Sequence, residues 1–244
     1  EWNRGAYLVE GLAHCGSCHS PRNFLGAEIP TYGGGYAEGW LAPALNENST
    51  APIRWSRDAL VNYLYDGWDR DHGVTAGPMT PIVNHLYDQS EDDVYPMAAY
   101  VASLGGTPTL SSEEARAAAA DRIAFANLVE WDADNPPEPD DEQLARGAVV
   151  YRDLCAKCHK QGADIVPLAL TSTVNMPVPA NILQVISDGV RPPRGALERS
   201  MPAFGISLTD ENIVDLVVFL RERYTDKPPW RNVEEALAEV RAEH

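Results

Sequence analysis

The sequence predicts an all-α chain of two tandem domains, on three observations. Two five-residue strings, Cys15-Gly16-Ser17-Cys18-His19 and Cys155-Ala156-Lys157-Cys158-His159, share the pattern C-x-x-C-H and use all 4 cysteines. The segments flanking each string recur in the same order along the chain. Apolar residues within those segments return at i, i+4, the spacing of one helix face.

Taken in order, Arg4-Gly5-Ala6-Tyr7 precedes the first string and Arg146-Gly147-Ala148-Val149 the second, each at the head of a short apolar helix. Gly33-Gly34-Gly35 lacks the Gly-Lys-Ser/Thr of a phosphate loop and reads as a turn. Two helical runs end in Asp-Gly: Ser56 to Gly67, with Ser56 as N-cap, and Pro179 to Gly189. Leu60 and Leu64 in the first match Ile182 and Ile186 in the second, and each run stops at a glycine suited to a left-handed cap. The interval from Gly67 to Met79 equals that from Gly189 to Met201, 12 positions each, and a proline follows both methionines (Pro81, Pro202).

Each module then closes with an amphipathic helix. One starts near Ser90 with Val94, Met97, Val101 and Leu104 on a stripe; the other starts near Thr209 with Ile213, Leu216, Val217 and Leu220. Acidic first turns suit the positive end of the helix dipole. Pro96 lies too deep for an N1 proline and predicts a kink or a late start. The predicted boundaries are a first domain over 1–106, a linker over 107–141, a second domain over 142–226 and a tail helix over 227–244. The linker combines an Ala-rich helix (Glu113 to Leu128) with an extended Asn135-Pro136-Pro137-Glu138-Pro139-Asp140-Asp141 run. In the tail, Val233, Ala236, Leu237 and Val240 form a stripe expected to pack on the protein itself, with a partner or membrane surface as the alternative.

The chemistry of C-x-x-C-H is specific. Two thiols three positions apart on one helical turn add across the two vinyl groups of a haem, and the next histidine lies beneath the iron. Zinc would need the second cysteine pair within some tens of residues. A thioredoxin-type dithiol has no use for the histidine, and two vicinal pairs are a poor disulfide framework. The expectation is two covalently bound haem c groups, attached through Cys15 and Cys18 and through Cys155 and Cys158, with His19 and His159 as proximal ligands. Pro43 and Pro167 are the candidates to accept a hydrogen bond from the second nitrogen of each ring. Met79 and Met201 occupy equivalent places and are assigned as the sixth ligands, so that each module is a class I cytochrome c domain. Met97 reads as core and Met176 as a weaker competitor; His72 and His85 are the rivals of Met79.

With 36 acidic and 19 basic residues the formal net charge is -17. That disfavours nucleic acid and anionic membrane surfaces; it fits a partner with a basic face, or solubility alone. A hydrophobic content of 44% and a mean hydropathy of -0.30 are those of a soluble globular chain. No apolar run approaches the roughly 20 residues of a membrane span. No signal peptide is present, so a mature or trimmed form is expected, and haem attachment outside the bacterial cytoplasm implies export.

Trp2-Asn3-Arg4-Gly5-Ala6-Tyr7-Leu8-Val9-Glu10-Gly11 and His14-Cys15-Gly16-Ser17-Cys18-His19-Ser20-Pro21-Arg22-Asn23 resemble the multihaem cytochrome c subunits of bacterial membrane-associated dehydrogenases. Those act with alcohol, gluconate and aldehyde dehydrogenases and with molybdenum hydroxylases. Gly77-Pro78-Met79 is similar to that family's axial-methionine segment, Leu41-Ala42-Pro43-Ala44-Leu45 to its haem-proximal loop, and Met201-Pro202-Ala203-Phe204 to its last haem domain. Many members carry three haems, and this chain corresponds to their second and third domains: a two-haem member, or one lacking an upstream domain.

The resemblance implies an electron-transfer subunit with no catalysis of its own. It would take electrons from a catalytic dehydrogenase subunit (molybdenum, flavin or quinone dependent) and pass them to quinone, an oxidase or another cytochrome. The tail from Thr225 through His244 is closest to the molybdenum type. The expected location is the periplasm, soluble or peripheral to the inner membrane. The alternatives are a dihaem peroxidase or thiosulfate-oxidising enzyme, which would need one iron open, and a free soluble carrier.

Overall fold

Each Arg-Gly pair of the repeat sits where the N-terminal helix of a module crosses the helix that closes it. The computed structural model describes residues 1–29, 31–106, 111, 113–119, 121–122, 142–160, 163 and 165–242, and is mostly helical. It divides into two compact units, Glu1–Thr109 with Val190–Met201, and Leu110–Gly189 with Pro202–His244.

In the first unit, α1 (Trp2–Ala6) runs on as a wider π-helical stretch, Tyr7–Leu12, before α2 (Gly16–His19). The wide turn shows in Ala13 N–H donating to Leu8 O at 2.8 Å and Cys15 N–H to Val9 O at 3.2 Å. Such insertions favour functional sites, and this one delivers the cysteines. Helix α1 packs on α5 (Glu91–Leu104). A Cβ at Gly5 would lie 2.0 Å from Pro96 O and 2.8 Å from Tyr100 Cβ, so only glycine permits the approach.

Pro96 does not delay the helix: Ser90 accepts from Asp92 N–H at 3.2 Å and α5 continues from Glu91 through Pro96. A proline removes the donor for the carbonyl four residues earlier, here Asp92 O. Arg4 supplies it, donating Nε to Asp92 O at 3.3 Å while pairing with Asp93.

Helix α3 (Arg57–Tyr65) starts at Ser56, whose hydroxyl accepts from Ala59 N–H at 3.0 Å; it buries Leu60 and Leu64, and Gly67 follows at φ 78°. The interval to Met79, read as loop, contains a small antiparallel hairpin of Trp68–Asp69 and Gly73–Val74, and α4 (Met79–Leu86) begins at the methionine itself. A second antiparallel pair joins Gly35–Ala37 to Trp40–Ala42. Strands this short carry no alternating pattern to read. Leu8, Val9, Tyr32, Leu60, Leu64, Val94, Met97 and Val101 form the core.

The Val190–Met201 segment of this unit is tied down along its length. Val190 and Met201 exchange backbone hydrogen bonds at 2.9 and 3.0 Å. Arg194 N–H donates to Asn84 Oδ1 at 2.9 Å, its guanidinium stacks over Tyr87, and Arg199 stacks over Trp68 at 4.1 Å.

In the second unit, α6 (Glu142–Val150) continues as π-helical Tyr151–Cys155 into α7 (Ala156–His159). A short 3-10 turn (Leu168–Leu170) and α8 (Ser172–Asn175) lead to α9 (Ala180–Asp188), α10 (Asp210–Tyr224) and α11 (Val233–Ala242). The crossing is repeated on α10: a Cβ at Gly147 would lie 2.1 Å from Asp215 O and 2.7 Å from Phe219 Cβ. Arg146 grips the buried Asp215 carboxylate with two bonds, 2.6 and 3.2 Å. Ile182 and Ile186 are buried, Thr209 caps α10, and α9 ends at Gly189 with φ 74° and ψ -166°, backbone that suits glycine alone.

The tail stripe packs on its own unit. Val233, Leu237 and Val240 are buried, and α11 lies against α9 and α10. Arg221, itself buried, donates to Pro228 O at 2.9 Å and Val174 O at 2.6 Å beneath Trp230, whose Nε1 donates to Met176 O at 2.8 Å. Of the expected linker helix, 113–119 and 121–122 are helical. The proline run of 135–141 lies outside the described residues.

Gly147→Ala is expected to lower the unfolding free energy by about 2 kcal/mol, because backbone rather than a pliable side chain blocks the new methyl. Gly11→Ala, with nothing within 4 Å, is the near-neutral control; denaturant midpoints of the two variants check this.

Candidate haem-binding sites

The first C-x-x-C-H string forms a tight helical turn: His19 N–H donates to Cys15 O at 3.0 Å and Cys18 N–H to the same carbonyl at 3.3 Å. Both thiols thus leave one turn, with the imidazole directly after them. His19 Nδ1 donates to Pro43 O at 2.8 Å, the partner expected from sequence. That bond orients the ring and leaves Nε2 as the free iron-binding nitrogen. Burial pushes the His19 pKa down, with the Pro43 bond opposing, so the ring is held in the neutral form that metal binding requires. Burial likewise pushes the Cys15 thiol up to about 11.

The backbone around this turn is closely fitted. Gly34, at φ 90°, donates its N–H to His19 O at 2.9 Å, and a Cβ at Gly35 would lie 2.5 Å from Cys18 O and 2.6 Å from Ser20 O. The glycine run, read as a turn, instead leads into the short strand that begins at Gly35. What sequence did not show is that it presses on the haem string itself; a signal was present in three consecutive glycines close after a C-x-x-C-H. Ser20 Oγ, buried, accepts from Tyr32 N–H at 3.1 Å and holds the same loop.

Met79 and Cys15 both border the hydrophobic core of this unit. The rivals stand elsewhere. His72 is buried with both ring nitrogens occupied, Nδ1 by Asp69 Oδ1 at 2.6 Å and Nε2 by Ile53 O at 3.1 Å. His85 is exposed on α4, and Met97 lies in the core as expected.

In the second unit, Cys155, Cys158 and His159 form the matching turn. Burial also lowers the His159 pKa. Its Nδ1 is buried and has no hydrogen-bond partner among the described residues, so the bond expected to Pro167 O is not formed; that carbonyl accepts from Leu170 N–H at 2.9 Å. Tyr151 OH donates to His159 O at 2.9 Å, anchoring the backbone rather than the ring. Met176 is buried in this unit, whereas Met201 ends the Val190–Met201 segment, which belongs to the first unit.

None of the four cysteines is joined in a disulfide, and among the described residues no group of three or more His, Cys, Asp or Glu gathers as a zinc site would. Paired thiols on one turn, a histidine ring fixed through Nδ1 and an apolar wall bearing a thioether are the donor set of a covalently attached haem. The residues present fit that group.

Residues 142–220 match the family described as cytochrome c oxidase, cbb3-type, subunit III. The chain is 39% identical to one of the subunits of nicotinate dehydrogenase from Pseudomonas putida, over 99% of its own length and 20% of the relative's. It is 34% identical to the gluconate 2-dehydrogenase cytochrome c subunit of Pantoea cypripedii, covering 89% and 51% of the two chains. It is 32% identical to the cytochrome c subunit of the quinone alcohol dehydrogenase of Gluconobacter oxydans, covering 93% and 48%. The chain thus spans about half, or less, of these relatives. Among the described residues no helix is long and apolar enough to cross a membrane.

Ser20→Ala removes the acceptor of a buried N–H beside the first string. It is expected to cost about 1–3 kcal/mol of stability, read from chemical denaturation.

Proposed function

The chain belongs, over the length it spans, to the cytochrome c subunits of bacterial dehydrogenases, and on that premise we propose that it is a dihaem electron-transfer subunit. It holds one haem c through Cys15 and Cys18, with His19 and Met79 as iron ligands, and a second through Cys155 and Cys158, with His159 and Met201. An iron held between imidazole and thioether exchanges single electrons at a raised potential and keeps no position open for substrate.

The chain's own residues do the rest. Each C-x-x-C-H turn grips the ring, Pro43 fixes the angle of His19, and the Arg4 and Arg146 crossings hold each haem string against its closing helix. The two modules, 1–106 and 142–226, are joined by the helical and proline-rich stretch 107–141, with the tail helix of 227–244 folded back on the second.

Electrons come from a catalytic dehydrogenase subunit of molybdenum, flavin or quinone type and leave to quinone, an oxidase or another cytochrome. The setting is the periplasm, free or peripheral to the inner membrane. The relatives support the dehydrogenase partner, and the net charge of -17 supports a basic docking face on it. The observation that carries the reading is the duplication of one haem turn on one glycine-dependent helix crossing.

Cys15→Ser with Cys18→Ser, and separately Cys155→Ser with Cys158→Ser, should each leave one covalent haem per chain by pyridine haemochrome assay. Met79→Ala and Met201→Ala should each remove about half of the methionine–iron charge-transfer band of the oxidised protein, since the two centres contribute alike. Rapid turnover of peroxide or thiosulfate, or a water-bound iron in the resting oxidised protein, would replace the relay with a dihaem enzyme.

A further inference from the structure

We propose that His72 is the positioning residue of the Met79 ligand, holding the loop that presents the thioether to the first haem. The proposal rests on Met79 being that ligand.

The loop's own structure is slight. Its hairpin pairs only Trp68 with Val74 and Asp69 with Gly73, and two-residue strands do not persist by themselves in water. Its tip is nonetheless anchored inward. His72 and Asp69 have side chains only 3% and 4% exposed, although the turn between two such strands would ordinarily face solvent.

The anchor is complete in its hydrogen bonding. Asp69 accepts from His72 Nδ1, from Asp71 N–H at 2.9 Å and from Asn62 Nδ2 at 3.2 Å. His72 Nε2 faces a carbonyl, Ile53 O, so both ring nitrogens are held by oxygen. The ring lies flat on Trp55, centroids 3.6 Å apart and planes at 20°, and Trp55 meets Tyr63 edge-on. Ile53 and Trp55 precede α3 and Asn62 lies on it, so the loop is clamped to a helix of the core.

From the clamp to the ligand the chain has little slack. Thr75, buried, donates its N–H to Gly67 O at 2.9 Å, closing the loop at its base. Gly77, at φ 56°, passes the Trp40 ring so closely that a Cβ would lie 2.4 Å from it. Pro78 and Met79 follow, and α4 begins. A buried polar cluster with its hydrogen bonds satisfied fixes a single geometry, which is what a ligand loop requires. The two ligand segments differ here: at the matching offsets from Gly189 stand Arg191 and Arg194 in place of the carboxylate and imidazole, and Arg194 is tied to Asn84 and Asp88.

The test uses the holoprotein and reads each haem. His72→Phe keeps the stack on Trp55 and loses both hydrogen bonds; Asp69→Asn, nearly isosteric, is the second variant should the first not fold. In a Met201→Ala background, where only Met79 supplies the methionine–iron band, either variant should weaken that band. Either should also raise the affinity of the oxidised first haem for added imidazole about tenfold, or 1.4 kcal/mol. A full-strength band and wild-type imidazole affinity in a folded variant would overturn the proposal. If Met79→Ala alone leaves the band intact, the ligand assignment itself is wrong, a separate failure from that of the clamp.

Discussion

The close crossing of two helices at a single glycine is the constraint on which each unit is built. At Gly5 and at Gly147 the partner helix approaches to where any side chain would meet its backbone. The preceding arginine then works on that same helix: Arg4 on Asp92 O and Asp93, Arg146 on Asp215. Because the π-helical stretch and the C-x-x-C-H turn follow directly, the crossing sets where the thiols and the imidazole stand. A displacement there would travel straight into the site.

The two modules use the same scaffold to different degrees of completion. In the first, the histidine ring is oriented by Pro43, the glycine run presses on the haem string, and the methionine loop is pinned through His72 and Asp69. In the second, the His159 Nδ1 has no partner among the described residues and the anchoring falls to Tyr151 and to the Arg221–Trp230 contact with the tail. Ring orientation and hydrogen bonding tune the basicity of an imidazole ligand. The two C-x-x-C-H histidines differ in this respect.

Homology to cytochrome subunits of several unlike dehydrogenases has a physical reading. The relatives are named for nicotinate, gluconate and alcohol dehydrogenases, whereas the C-x-x-C-H turn and the helix crossing of this chain are built from local geometry that refers to no such substrate. A strongly acidic surface such as this chain's steers association more than it fixes affinity.

Much of this was legible from residues alone. Cysteine spacing announces the haem chemistry, and the Ser56, Ser90 and Thr209 caps, the glycine stops and the apolar stripes place the helices, because all of these are local. Pro43 was within reach because the acceptor had to lie in the loop after the haem string. The late start offered as one effect of Pro96 does not occur, and the donor the proline removes is replaced by Arg4, 88 residues distant in sequence. The burial of His72 between Trp55 and Asp69, and the unpartnered Nδ1 of His159, depend on which backbone carbonyls and rings meet in space. Periodicity and spacing encode what a segment forms by itself. Only packing decides which groups from distant segments are brought within hydrogen-bond reach of the site.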